Sequence, residues 1–215
     1  MLCVRFHGRG GHGVKTASRI LGTGAFLGGV YAQDSPVYGA ERRGAAITAF
    51  TRIDDEPILE RGVITQPDLV LIADETLLAD PTARVLVGAD TASAVFVNSC
   101  VDRQLLASRY EIACPVLSHD LTGIAADVIG RSSALSSVLG AVSCKLSGVV
   151  PEDRMIRAVR EELESLGLGQ DTMERNVEAA RRAYTEVDAI AIRTQSIAVQ
   201  GPVIYQPDFV SPERG

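Results

Sequence analysis

Short continuous apolar runs alternate along the chain with longer stretches of helical spacing. Residues 2–6 form the first run, brief and mostly apolar as strands are. Apolar positions at Val14, Ala17, Ile20, Leu21 and Phe26 then predict a helix. Residues 30–33 read as a short strand that Ser35-Pro36 breaks, and residues 45–53 as a longer one, closed by the turn Asp54-Asp55-Glu56-Pro57. Residues 69–74 are continuously apolar up to Asp74, the pattern of a parallel strand buried on both faces. Residues 94–99 repeat it, and a short helix over 101–108 leads to a further strand over 110–117, where Pro115 marks an edge or an end. Strand–helix–strand alternation of this kind predicts an α/β fold with a mostly parallel, doubly wound (Rossmann-like) sheet.

From Asp120 the pattern turns helical. Residues 121–129 form one helix capped by Asp120, and residues 134–146 a second, almost wholly apolar and therefore buried. Its serines, Ser133, Ser136, Ser137 and Ser143, either bond back within the helix or line a tight contact with another helix. Pro151 opens a third helix that Gly167 ends. Asp171 to about Val187 is the fourth, with Glu174 and Glu178 set against Arg175, Arg181 and Arg182 on a solvated face. The expected organisation is one α/β domain over 1–188 with a helical C-terminal half, and an extended arm over 189–215. That arm carries three prolines and too many apolar residues for a free tail. It lies along a partner chain or packs on its own domain.

Between the first strand and the first helix stands Gly8-Arg9-Gly10-Gly11-His12-Gly13-Val14. Glycine permits positive φ and close approach to the backbone. A helix opening after such a turn aims free N–H groups and its positive dipole end into the loop, which suits a phosphate or another anion. The spacing Gly8-x-Gly10-x-x-Gly13, with Asp34 further on, is also the dinucleotide-binding fingerprint. Read that way, the chain is a stand-alone NAD(P)-dependent dehydrogenase. A tight turn that binds nothing has the same spacing. Lys15 does not follow the last glycine directly, as a Walker loop requires. Asp74 falls at a strand's C-terminal end, where open α/β sheets place ligands, or else caps the helix that follows.

A second segment, Tyr38-Gly39-Ala40-Glu41-Arg42-Arg43-Gly44-Ala45, reads as a loop. Glu41 beside two arginines is either a solvated surface cluster or an anion clamp or intersubunit contact. Together with the glycine loop, Tyr31-Ala32-Gln33 and Phe50-Thr51-Arg52-Ile53-Asp54, this segment resembles the gamma subunit of the 2-oxoacid:acceptor oxidoreductases, typified by pyruvate:ferredoxin oxidoreductase. The resemblance runs from the first strand to about Tyr184. The sequence departs from the family at His12, where glutamine is usual, and at residues 133–141, where an Asn-Thr-x-Met-Leu-Gly-Ala type segment is usual.

The resemblance implies a multi-subunit enzyme that oxidatively decarboxylates a 2-oxoacid with coenzyme A, pyruvate being the default. Thiamine diphosphate, Mg2+ and [4Fe–4S] clusters are expected in partner subunits of alpha, beta and delta type, with ferredoxin or an NAD-reducing subunit taking the electrons. This chain is then architectural and helps to bind CoA through Gly8, Arg9, Gly10, Gly11, His12, Gly13 and Val14, with Glu41, Arg42 and Arg43. No catalytic residue and no metal ligand is expected in it, and a purely structural role is the plainer alternative.

Composition is consistent with this. The net charge of -6 argues against a nucleic-acid binder that relies on bulk electrostatics. Cys3, Cys100, Cys114 and Cys144 show no C-x-x-C spacing, which argues against a cluster or structural zinc built by this chain. His7, His12 and His119 form no metal pattern by spacing, and only His12 is expected near a ligand. No apolar run is long enough to span a bilayer and no signal peptide is expected, so a cytoplasmic location follows.

Overall fold

A computed structural model describes residues 1–36 and 44–190. Its six strands are β1 (Leu2–Arg9), β2 (Tyr31–Pro36), β3 (Ala46–Asp54), β4 (Leu69–Ile72), β5 (Ala94–Asn98) and β6 (Val116–His119). The helices are α1 (Val14–Leu27), α2 (Arg103–Arg109), α3 (Leu121–Ile124, continued by a π-helical turn over Ala125–Ile129), α4 (Ser136–Ser147), α5 (Glu152–Glu164) and α6 (Gln170–Glu186). The strands form one sheet in the order β2-β3-β1-β4-β5-β6. Strands β1, β4, β5 and β6 run parallel, whereas β3 lies antiparallel between β1 and β2. The α/β, mostly parallel architecture expected from the sequence is therefore present.

Alternation along the strands divides the core in two. Leu2, Val4, Phe6, Leu69, Leu71 and Phe96 face α1, α4, α5 and α6. Val70, Ile72, Val95, Val97 and Val116 face the other way, against Leu77, Val85 and Leu106. The second face of β1 is polar. Arg5, 5 % exposed, donates to the carbonyls of Ile64 at 3.3 Å and Val85 at 2.9 Å. Buried Arg52 donates to the carbonyl of Gly62 at 3.0 Å. Two buried guanidinium groups thus tie the irregular segment around residues 62–64 to the sheet.

Several boundaries differ from the sequence reading. β1 runs on through His7, Gly8 and Arg9, because Arg9 still pairs with Ala46. β2 does not break at Ser35-Pro36 but extends to Pro36, paired with Ala49; proline is tolerated at the end of an edge strand. Residues 110–113 are not a strand. Tyr110 caps α2, Glu111 takes the left-handed conformation (φ 50°), and Ile112 N–H bonds back to Ala107 O at 3.0 Å. Tyr110 and Ile112 still pack on the second core, which explains their apolar spacing. Phe26 is 62 % exposed. Twelve residues at ~100° each set it about 120° from Val14, off the buried stripe.

The helical half matches more closely. Asp120 accepts from Gly123 N–H at 2.8 Å and caps α3, while His119 pairs with Glu186 rather than with its neighbour. Serines of α4 do both things expected of them: Ser143 bonds back to Gly140 O, and Ser137 reaches Asn176 of α6 at 2.9 Å. The ion pairs of α6 fall differently. Glu174 takes a two-point contact from Arg160 of α5 at 2.6 and 2.8 Å, Arg175 pairs with Asp171, and Arg182 with Glu186. Only Ala189 and Ile190 of the expected arm fall within the described residues.

Helix α1 approaches α4 closely. A Cβ added at Gly140 would sit 2.9 Å from three carbons of Ile20, itself fully buried. Overpacking such a contact costs about 1–3 kcal/mol. Gly140→Val is accordingly expected to lower the unfolding free energy by at least about 2 kcal/mol, read by urea denaturation. A variant as stable as the parent would show that α1 and α4 separate freely.

Candidate functional site

The glycine loop is built where β1 hands over to α1. Gly10 N–H donates to Ala45 O at 2.9 Å, Gly44 N–H reaches Gly10 O at 3.4 Å, and His12 N–H closes the turn on Arg9 O at 3.0 Å. Gly11 and Gly13 take φ values of 103° and 70°, the left-handed region that favours glycine. Gly13 is doubly constrained, because an added Cβ would lie 2.6 Å from Ser136 Cβ at the start of α4. Gly8 leaves room for Val14, whose side chain is buried against it. Among the described residues nothing lies within 4 Å of a Cβ added at Gly11, so they leave that side of the loop open.

Among the described residues no side chain caps α1, and no acidic residue stands in its first turn. The leading N–H groups and the positive end of the dipole therefore face the loop with no described carboxylate opposite them, an arrangement of the kind that attracts anions. Arg9 has a different role. Its Nε donates to Asp74 Oδ2 at 2.8 Å, one terminal nitrogen to Thr76 Oγ1 at 2.7 Å and the other to Gly44 O at 3.2 Å. Arg9 thus braces the loop against the end of β4 and the start of β3. Burial raises the Asp74 carboxyl, but bonds from Thr76 and Arg9 outweigh it and hold it below the usual range. Asp74 also caps the short 3-10 turn Glu75–Ala79 through Thr76 N–H at 3.0 Å.

His12 is half-buried in the loop, and its Nδ1 is buried without a partner among the described residues. Glu41, Arg42 and Arg43 lie outside the described residues. Gly44, the next residue in the chain, is bonded to Gly10, so the segment's exit is fixed beside the loop. Asp34, the acid of the dinucleotide fingerprint, is placed elsewhere. β3 separates its strand from β1, and Asp34 pairs with Thr51, which pairs with Val4. That is about 10 Å across the sheet and about 16 Å back along it from Arg9. A ribose held by Asp34 does not reach phosphates on the loop, so the fold gives no support to the NAD(P) alternative.

A cleft opens at the C-terminal ends of β4, β5 and β6. This cleft of about 440 Å³ is lined by Asp74, Glu75, Asn98, Ser99, Cys100, Asp120 and Thr122, among others. Asn98 organises it, bonding Ala73 O, Thr122 Oγ1 and Leu121 N–H. The Cys100 thiol is pushed up, first by its hydrogen bond to Asp120 and then by that carboxylate's charge, so it is no activated nucleophile. Three carboxylates make the cleft hostile to an anion. Sequence reasoning missed Cys100 and Asn98 here, and the only signal for them was their position at a strand end. Among the described residues, no three His, Cys, Asp or Glu side chains gather as a metal-ligand set, and no helix is long and apolar enough to cross a membrane.

With the loop and its bracing described, comparison with known proteins places the chain. Residues 3–186 match the model of the pyruvate ferredoxin/flavodoxin oxidoreductase family. The chain is 38 % identical over 187 residues to the pyruvate/ketoisovalerate oxidoreductases common subunit gamma of Thermococcus kodakarensis, which covers 86 % of this chain and 97 % of that protein. It is also 38 % identical over 194 residues to pyruvate synthase subunit PorC of Methanothermobacter thermautotrophicus, over 89 % of this chain and 99 % of that one. The crystal structure of pyruvate oxidoreductase subunit PORC from Thermotoga maritima superposes with a TM-score of 0.71 at 30 % identity, covering 87 % of this chain and 97 % of that chain. The chain belongs to the pyruvate ferredoxin/flavodoxin oxidoreductase family, as a gamma-type subunit.

His7, on β1 just before the loop, gives a pH signature. It is 4 % exposed, with Thr48 Oγ1 3.3 Å from Nδ1 and Nε2 buried without a described partner. Burial, aided by the charge of Arg5, pushes its pKa down to about 3. The folded protein therefore keeps His7 neutral where the unfolded chain takes up a proton. Its contribution is fully present above about pH 6.5 and is lost as pH falls toward 3, at up to about 1.4 kcal/mol per pH unit. Urea denaturation at pH 6.5 and 4.5 is expected to show a smaller loss for His7→Gln than for the parent. An identical loss would place the pH dependence elsewhere.

Proposed function

We propose that this chain is the gamma subunit of a thiamine-diphosphate- and iron–sulfur-dependent 2-oxoacid oxidoreductase, and that its glycine loop helps to seat CoA. The overall change converts a 2-oxoacid and CoA to acyl-CoA, CO2, a proton and two electrons, which pass to ferredoxin or NAD. Pyruvate is the default substrate; 2-oxoglutarate, branched-chain and aryl 2-oxoacids are the alternatives. Thiamine diphosphate and the [4Fe–4S] clusters, held by alpha-, beta- and delta-type subunits, supply decarboxylation and electron transfer. What falls to this chain is architecture and the binding of an anion.

The observation that carries this reading is the uncapped N-terminus of α1 under an open glycine turn, with no acid in the helix's first turn. Phosphate groups of CoA meet backbone N–H donors there. Arg42 and Arg43 add charge-assisted contacts from the segment that ends at Gly44, which Gly10 holds against the loop. Arg9 keeps Gly44, Asp74 and the loop in register rather than touching the ligand. The soluble, cytoplasmic complex expected from the sequence fits this division of labour.

Arg42→Ala with Arg43→Ala, in the anaerobically purified complex, is expected to weaken CoA binding about ten- to a hundredfold. The KM for the 2-oxoacid should stay within about twofold in the same assay. Unchanged CoA affinity would remove the clamp and leave the chain a structural subunit.

A further inference from the structure

Residues 55–68, which connect β3 to β4, form no helix or strand, yet part of their course is fixed. Four alternate carbonyls are each met by a guanidinium group. Arg61 donates to Ile58 O at 3.1 Å and to Glu60 O at 3.0 Å, Arg52 to Gly62 O at 3.0 Å, and Arg5 to Ile64 O at 3.3 Å. Gly62 takes a φ of 91°, a conformation that favours glycine. Arg5 and Arg52 are both buried, and a guanidinium leaves water at a cost that only well-met donors offset. Two such groups are committed here to a connecting loop.

What they hold in place is apolar. Leu59 is 84 % exposed and Val63 60 %. Val63 stands between Gly62 O and Ile64 O, each tied to a buried arginine, so its side chain leaves the surface from a fixed point. A lone exposed apolar residue needs no explanation. Two on one braced stretch are anchors already set for association, because bracing removes beforehand the cost of ordering a loop on binding. The rim of the stretch is acidic. Asp55 and Glu56 are exposed, and Glu60, its side chain 65 % exposed, has an oxygen 3.9 Å from Arg52 Nε. Arg61, the one cation within 55–63, turns its guanidinium onto the loop's own carbonyls. An isologous contact with a second copy would bring two such carboxylate sets together. The complementary surface is apolar at its centre and basic at its edge.

We propose that residues 58–63 are a preformed anchor for a different subunit of the same oxidoreductase complex, one that offers an apolar recess for Leu59 and Val63 rimmed by lysine or arginine. The inference rests on the reading of this chain as a gamma subunit and is independent of the CoA assignment. The anchor lies toward the start of β1, since Arg52, which braces it, pairs with Cys3. The glycine loop follows the other end of that strand.

p-Benzoyl-phenylalanine in place of Leu59 or of Val63, irradiated in the anaerobically purified complex, tests the contact directly. At least one position is expected to cross-link to a different subunit, identified by mass spectrometry. In an intact complex, cross-links only to a second copy, only within the chain, or none at all would overturn the proposal alone. A chain that purifies with no partner subunit would overturn the gamma-subunit reading and the proposal with it. As a second measure, Leu59→Asp with Val63→Asp should raise the concentration at which the chain dissociates from the complex at least about tenfold. Unchanged dissociation would equally overturn the proposal. The photoreactive variants keep a large apolar side chain, so they test the contact even if the aspartate pair fails to fold.

Discussion

Helix α1 sits closer to its neighbours than side chains ordinarily permit, and the rest of the molecule is arranged around that fit. A Cβ at Gly13 would meet Ser136 of α4 at 2.6 Å, one at Gly24 would meet Val150 at 2.7 Å, and one at Gly140 would meet Ile20 at 2.9 Å. Gly8 on β1 admits Val14 in the same way. These contacts run from the first turn of the helix to its last. They fix its height over the sheet as well as its direction. Ile20 and Leu21, both fully buried, each stabilise the seat by about 2–3 kcal/mol. That is comparable to what one overpacked contact takes away, so the fit tolerates little error at any point along it.

The position of the helix decides what the loop before it can do. Backbone N–H groups at a helix start have no adjustable part, so their geometry is only as good as the seat of the helix. Arg9 extends the same rigidity sideways by holding Asp74, Thr76 and Gly44. On the far face of the sheet, Arg5 of β1 and Arg52 of the neighbouring β3 point their charges at backbone carbonyls. Burying a guanidinium costs several kcal/mol unless its donors are met. Their reward is positional, since each holds a length of irregular chain on the sheet. β1 therefore carries apolar anchoring on one face and cationic bracing on the other, and the loop emerges from the end of a strand locked on both.

Much of this was legible in the sequence, in proportion to how local the cause was. The continuous runs at 69–72 and 94–98 are strands because a parallel strand is apolar on both faces, and the caps at Asp74 and Asp120 work over two or three residues. The glycine spacing located the loop and the start of α1. The failures needed a partner distant in sequence. Glu174 was matched with arginines of its own helix, whereas the two-point contact comes from Arg160, fourteen residues earlier and on another helix. Residues 110–113 carry strand-like alternation because Tyr110 and Ile112 cover a core from the end of a helix, and Glu111's positive φ and the bond from Ile112 N–H back to Ala107 O set them apart from a strand. Asp34 met the fingerprint's sequence distance, but inserting an antiparallel β3 beside β1 moves it two strands away. Sequence spacing carries no information about strand order.

Strand order also separates the glycine loop from the neighbouring cleft by charge. The parallel strands β4, β5 and β6 end in a cleft whose carboxylates, Asp74, Glu75 and Asp120, serve as caps and as acceptors for Arg9 and Ser99. Next to it, the start of α1 has no carboxylate in its first turn. Asp74 lines the cleft and also receives Arg9 from the loop, so the same residue closes one region to anions and braces the other. In an ordinary doubly wound sheet the ligand crosses such a boundary, with phosphate at the helix and the rest over the strand ends. Here the acidic cleft disfavours that crossing for a polyanionic ligand. The approach to the loop that the described residues leave open is instead the side of Gly11, where none of them lies within 4 Å of an added Cβ.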